Sequence, residues 1–581
     1  MRMLNRRRFL KLLPLAALAP RAGANEQVDP QAPIDANTLD DGAKLAGLSF
    51  TPQQRDQMTD GVKANLGRYA ALRKLKIPNE VAPAYFFDPV PSGSRVEMSA
   101  GESSLKLSPQ TTPSVSSNLE ELAFASVTQL SELIRLRMVR SVDLANMYLG
   151  RLKKYDPSLQ CVITLCEELA MKQSRRADQE IANGMYRGPL HGIPWGAKDL
   201  LAVKEYRTTW GAEPYKDQFI YTDATVVERL EQAGAVLLAK LSMGETARGE
   251  TWFGGMTKNP WNLQEGAQGS SAGPAAATAA GLVGFAIGSD TRGSITLPCD
   301  RCGASGLRPT FGTVSRYGAM VLAWTMDKLG PICRTIEDCV VVLDAIRGFD
   351  GKDVSVRFVP SLIWDAAASV SNLRVGYPKS EFGRPRRAQK TDDQTLQTVK
   401  NLGVNLLPVE LPDFPVEALR LIMDSETGAA FDELVDTGRA DLLAKQGKGD
   451  RPNNLRHAEL IPAVDYIQAN RARTILMSRL AASLEGIDVL VAPSLSEVVL
   501  MLTNLTGHPS AVVPNGFIDD REPTSISFIG ALYKDSQAAL LAHHYQQATD
   551  FHRRHPDFLS AASAQPPSYP AHGHPENSSA N

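Results

Sequence analysis

The chain has 581 residues, enough to bury a sizeable core, and its 62 Lys+Arg against 64 Asp+Glu leave a formal charge of −2. That near balance lacks the basic excess of a nucleic-acid-binding surface. Six cysteines in so long a chain exclude a scaffold built on disulfides.

The balance hides an asymmetry, because residues 1–24 carry six basic residues and no acidic one, leaving 56 basic against 64 acidic in the rest. Asn5-Arg6-Arg7-Arg8-Phe9-Leu10-Lys11, an apolar run from Leu12 to Ala19 and Ala22-Gly23-Ala24 predict a twin-arginine signal peptide over 1–24. The apolar run is too short to span a bilayer. Export by that route carries folded proteins, so the expected location is the periplasm or outside the cell.

Residues 25–117 read as an N-terminal helical appendage and a Ser/Pro-rich linker. Thr51 to Pro78 has apolar residues at helical spacing, whereas Pro89 to Ser117 has little to bury and reads as a linker or surface-wrapping segment. The main domain is expected over 118–558. The tail 559–581 is low in complexity and expected to be disordered.

Within the main domain, residues 119–154 predict two amphipathic helices broken near Ser141. Pro189 to Leu201 is an apolar strand running into a loop, with Lys198 set among Trp195, Gly196, Ala197 and Leu200. Asp223 to Leu241 reads as a helix, a stop at Gly234 and a β-branched strand, the αβ unit of a parallel or mixed sheet. A second such unit runs from the Ala-rich helix after Gly273 into Val283 to Gly288. Further buried strands are expected at Leu373 to Tyr377, Asp488 to Pro493, Ala511 to Pro514 and Ser525 to Ile529, around a helix-rich block at 415–485.

The chemistry is concentrated between Gly266 and Pro298. Two serine-bearing turns, Gly269-Ser270-Ser271 and Gly293-Ser294, flank the second αβ unit with Ser270 and Ser294 24 positions apart. Glycine uncovers backbone N–H groups, and successive N–H groups make an anion nest for a phosphate or for an acyl-transfer oxyanion. A phosphate loop needs a lysine where Ser294 stands, so a serine nucleophile beside its own oxyanion hole is the sharper reading.

Such a serine needs a base. The chain has nine histidines; four lie in or beside the tail, and His508, in a turn between buried segments, reads as structural. Nor does Asp290-Thr291-Arg292-Gly293-Ser294 form a G-x-S-x-G elbow. A neutral lysine is the alternative base. Lys198 has the most apolar surroundings of the lysines, so burial should lower its pKa, with Ser270 as the intervening hydroxyl. Cys299 and Cys302 form a lone C-x-x-C without the second pair a zinc site needs, leaving core packing or a disulfide open.

These residues resemble the amidase signature family over 118–558, most strongly over 189–345. The matching motifs are LHGIPWGAKD, DATVVERLEQAGAVLLAKLSMGE, NPWNL, GSSAG, GSDTRGSITLP, GLRPTFGTVSRYG and DKLGPICRTIEDCVVVLDAI, in the family's order. The resemblance implies a single large α/β domain, a mixed β-sheet core covered by helices, and amide hydrolysis by a Ser-cisSer-Lys triad without cofactor or metal. It casts Ser294 as nucleophile, Ser270 as the bridging serine after a cis peptide bond and Lys198 as base. By the same resemblance the backbone N–H groups of Thr291, Arg292, Gly293 and Ser294 form the oxyanion hole, and Thr246, Ala247 and Gly249 line the substrate.

Two departures stand out: Gln268-Gly269-Ser270-Ser271-Ala272-Gly273 replaces the family's frequent GGSSGG, and Arg292 replaces a glycine. Arg292 either binds an anionic substrate group or pairs with a structural carboxylate. The expected function is an exported amidohydrolase acting on a small-molecule amide, with ester cleavage by the same site. No nucleic-acid partner and no stable membrane insertion after signal removal are expected, and a homo-oligomer is left open. The alternatives are a transamidase component of the kind found in glutamyl-tRNA amidotransferase, its A-type chain, which export argues against, and a silent binding protein on the same fold.

Overall fold

A computed structural model of the chain describes residues 34–75, 77, 87–90, 103–110, 118–357 and 359–557. The expected signal peptide and the tail lie outside these residues. The centre is an 11-stranded sheet. From one edge its strands run Asn405–Val409, Arg374–Pro378, Val489–Pro493, Glu522–Gly530, Ser510–Ile518, Ser305–Arg308, Lys328–Cys333, Phe285–Asp290, Pro194–Lys198, Val236–Leu241 and Val162–Leu165.

The sheet is mixed: Pro194–Lys198 runs parallel to both of its neighbours, while Phe285–Asp290 is antiparallel to Lys328–Cys333. Both expected αβ units form. The first has its helix at Thr225–Gln232, and Gly234 in the left-handed region (φ 84°) turns the chain into the strand Val236–Leu241. The second has the helix Ala272–Ala279, whose residues are all buried, leading into Phe285–Asp290.

Small side chains let that second helix sit close, for a Cβ on Gly273 would lie 2.5 Å from Ser242 O. Two central strands fall outside the segments expected to form strands. Lys328–Cys333 contains Gly330 and Pro331, residue types that argue against a central strand, yet it pairs with Phe285–Asp290 across five residues. Ser305–Arg308 spans only four residues between turns.

The N-terminal helical segment packs against the main domain. The helix Pro52–Arg73 opens on a Thr51/Gln54 capping box and docks onto the helix-rich block. Tyr69 and Leu72 enter a buried cluster with Leu419, Leu421 and Leu476. Arg68 pairs with Asp424 at 3.0 Å and Arg73 with Asp465 at 3.1 Å. Farther along, Ser104–Lys106 pairs in parallel with Ile363–Asp365.

Candidate active site

Lys198 ends its strand with the side chain fully buried, and its Nζ meets three hydroxyls. It donates to Ser270 Oγ at 2.8 Å, Ser271 Oγ at 3.0 Å and Ser289 Oγ at 2.8 Å. Burial lowers the lysine from an ordinary 10.5 to about 7, against the opposing pull of Asp290 and Asp327. Near neutral pH an amine and an ammonium are therefore both populated. Ser271 Oγ donates to Ser289 O at 3.1 Å, so its own hydrogen is committed. A neutral Nζ, with two hydrogens and a lone pair, can accept only from Ser270 or Ser289.

The two serine turns come together through the backbone. Gly269–Ser270 is a cis peptide bond, and Ser271 N donates to Ser294 O at 3.2 Å. Gly269 must be glycine because a Cβ there would lie 1.8 Å from Gly249 O, and Gly244 N donates to Ser270 O at 3.3 Å.

Asp290 shapes the second turn. Its carboxylate accepts from Gly293 N at 2.6 Å, Ile295 N at 2.9 Å and Thr296 N at 3.4 Å, and Arg308 Nη1 lies 3.8 Å away. Thr291 Oγ1 donates to Asp327 Oδ1 at 2.6 Å. Gly293 lies at φ 110°, where a side chain is disfavoured. This corrects the expected oxyanion hole, because the Gly293 N–H is spent on Asp290. The N–H groups of Thr291, Arg292 and Ser294 have no acceptor among the described residues.

The loop expected to line the substrate divides. Ala247 borders a cleft with Leu200, Ser289, Thr291, Met320 and Leu322. Gly249 is exposed and lays its carbonyl against Gly269. Thr246 is corrected to a supporting role: it is fully buried, its Oγ1 donates to Glu245 O at 2.8 Å, and it accepts from Arg451 Nε at 3.0 Å and Nη2 at 2.9 Å. Those bonds hold Thr246 and Ala247 in the left-handed region, at φ 46° and 61°.

Arg292 is half-buried and makes no ion pair or hydrogen bond among the described residues. It therefore does not pair with a structural carboxylate there. No histidine hydrogen-bonds Lys198, Ser270 or Ser294 among the described residues, and His508 is instead bound to Thr506 Oγ1 at 2.8 Å. Cys299 and Cys302 are free and buried.

Behind Lys198 a fully buried ion pair, Lys240 to Asp199 at 2.7 Å, fixes the strand end, with Asp199 also accepting from Thr209 N at 2.7 Å. Sequence reasoning missed Ser271 and Ser289 around the lysine, and Asp290 beneath the nucleophile turn. The signal for the last two was their adjacency in Ser289-Asp290, at the end of a predicted αβ unit.

A glycine-rich nest beside a serine, and a buried lysine among hydroxyls on a mixed α/β sheet, are the parts of an acyl-transfer enzyme. The chain belongs to the amidase signature family: the Amidase family profile matches residues 143–498. It is similar to the A-type chain of the Methylococcus capsulatus glutamyl-tRNA(Gln) amidotransferase, 34% identical over 480 residues, covering 74% of this chain and 98% of that protein. The corresponding chain of Coxiella burnetii is 31% identical, with 74% and 99% covered. Among solved structures, the peptide amidase of Stenotrophomonas maltophilia superposes with a TM-score of 0.67 at 29% identity, covering 75% of this chain and 99% of that one.

Proposed function

We propose that the chain is an amidohydrolase that cleaves a small-molecule amide through an acyl-enzyme at Ser294. One observation carries the reading: a fully buried lysine near pKa 7 is bonded to Ser270, whose turn is tied to that of Ser294. Neutral Lys198 takes the proton of Ser270 as Ser270 takes that of Ser294, and Ser294 Oγ bonds to the carbonyl carbon. The resulting oxyanion faces the N–H groups of Thr291, Arg292 and Ser294, each such donor contributing on the order of 10²-fold or more in rate. Collapse breaks the C–N bond and returns the proton to the departing amine, after which water, deprotonated by the same relay, releases the acid.

Fluorophosphonate labelling with peptide mapping tests this reading. Label is expected on Ser294, and Ser294→Ala should abolish both labelling and amide turnover. Turnover of Ser294→Ala near the wild-type rate would overturn it.

The similarity to amidotransferase chains supports a second reading, transfer of the released ammonia within a larger assembly. Amide hydrolysis by the isolated chain at an undiminished rate favours the first reading, and dependence on added partner proteins and tRNA the second. Export by the twin-arginine route belongs to this proposal too and rests on Arg6 and Arg7. Replacing both with lysine should strand the protein inside the cell, and unimpaired export would reject that route.

A further inference from the structure

Arg248, Arg292, Arg420 and Arg451 lie close enough to act on one another, and Arg248 and Arg292 are carried by loops of the candidate active site. Helix Arg420–Ala430 packs on helix Arg451–Ala458, and Arg420 and Arg68 share two carboxylates. Asp424 lies 3.0 Å from Arg68 and 3.4 Å from Arg420, while Glu417 lies 3.2 Å and 3.7 Å from the same two residues. Two acids and two arginines are thereby matched. Arg248, Arg292 and Arg451 have no carboxylate within ion-pair distance among the described residues.

These three adjoin the site through the loops that carry or contact it. Arg292 stands two residues before Ser294, in the oxyanion turn. Arg248 follows the cleft residue Ala247 and precedes Gly249, whose carbonyl abuts Gly269. Arg248 and Arg451 interlock their loops: Arg248 Nη2 donates to Gly449 O, while Arg451 donates twice to Thr246. Burial, then neighbouring arginines, holds all three guanidiniums below their ordinary value, Arg451 at about 9. Asp424, Asp450, Glu417 and Glu497 offset this only at longer range. Partly desolvated cations without a paired acid are costly, and an anionic ligand relieves that cost.

We propose that Arg292 and Arg248, backed by Arg451, form an anion-binding wall of the active site and select amides that carry a carboxylate near the scissile bond. The proposal deepens the acyl-transfer reading by naming its substrate class. The guanidinium fork of Arg292, free of protein acceptors among the described residues, can take a carboxylate in two parallel hydrogen bonds, and Arg248 adds a second positive charge. The carboxylate can sit on the acyl side, as in a half-amide of a dicarboxylic acid, or on the amine side, as in an N-acyl amino acid.

Calorimetric binding to the full-length Ser294→Ala protein tests the wall without turnover. The probes are half-amides of three- to six-carbon dicarboxylic acids and N-acetyl amino acids, each paired with its neutral diamide or amino-acid amide. At least one carboxylate probe should bind about tenfold or more tightly than its neutral counterpart, and which set does so locates the carboxylate. Adding Arg292→Gln or Arg248→Gln should reduce that preference about tenfold, while Arg292→Lys keeps part of it.

Equal binding of charged and neutral probes, binding of none, or an undiminished preference in both glutamine variants would overturn the proposal. Fluorophosphonate labelling of the otherwise wild-type protein separates the two readings. Labelled Ser294 without carboxylate preference rejects the wall alone, and carboxylate preference without labelling rejects the acyl-enzyme alone.

Discussion

Lys198 Nζ lies as close to Ser289 Oγ as to Ser270 Oγ, 2.8 Å in each case. Ser289 is on the strand Phe285–Asp290, next to Asp290, and its hydroxyl makes no other hydrogen bond among the described residues. One lysine thus bridges two strands and the cis-bonded turn, and Ser289 holds the ammonium without lying on the route to Ser294.

Activity should follow the neutral form of the lysine. The kcat/KM for a neutral amide is expected to rise with pH along a limb whose apparent pKa is near 7, set by the coupled triad. Lys198→Ala should lose about 10²- to 10⁴-fold. Ser289→Ala removes an acceptor that favours the ammonium, so its limb should move to lower pH by up to about one unit. A limb that stays in place in Ser289→Ala, measured over about pH 5 to 10, would refute that role.

The same lysine should weaken the fold in a pH-dependent way. Its pKa falls from 10.5 to about 7 on folding, so between those values the unfolded chain binds a proton that the folded chain lacks. Stability therefore rises with pH across that window and is lowest below about pH 7. Lys198→Met escapes this dependence. The stability difference, Lys198→Met minus wild type, should be most favourable to the variant at about pH 6 and shrink steadily towards about pH 10. Denaturant titrations giving the same difference at both ends would contradict the burial assignment.

Asp290→Asn tests the support of the nucleophile turn. One carboxylate oxygen becomes an amide NH₂, which can no longer accept from the N–H groups it now faces, and Arg308 loses the anion beside it. Removing one partner of such a buried arrangement costs about 3–5 kcal/mol. Thermal unfolding should show that loss, and labelling of Ser294 should slow by about 10²-fold, the scale expected when a reacting group is misplaced by about 1 Å.

Gly61→Ala separates helix propensity from docking. In an isolated helix this change stabilises by about 1 kcal/mol. Here a Cβ would lie 2.2 Å from Cδ2 of buried His457, so either the His457 ring or the helix Pro52–Arg73 must shift. A net destabilisation of about 1–3 kcal/mol is expected, as for overpacked cores. A gain in melting temperature would mean that the contact yields without cost.

The strands and turns that carry Lys198, Ser270 and Ser294 are legible in the sequence because glycines and an apolar run mark them locally. The three-way contact of the lysine is not, since Ser289 is 91 positions away and only the parallel pairing of Pro194–Lys198 with Phe285–Asp290 brings it in. Gly293 reads as an open N–H donor because sequence shows its φ freedom but not the Asp290 carboxylate folded back onto it. Pro331 conceals a central strand, because tertiary pairing there overrides a local penalty. Helical spacing reveals Pro52–Arg73 as a helix, but Arg68 finds Asp424 356 residues along the chain, and Tyr69 packs in the same distant block.

That helix lies wholly before the first residue matched by the family profile, yet Arg68 holds Asp424, the acid shared with Arg420. A protein trimmed to the family boundary would keep every residue of the serine-lysine relay. It would also carry an Asp424 relieved of one cation, and a newly wetted surface where Tyr69 and Leu72 had packed. Asp424, already felt at longer range by Arg248 and Arg292, would then be freer to neutralise them, so a cut far from the catalytic serine would register as a change in the charge offered to the substrate.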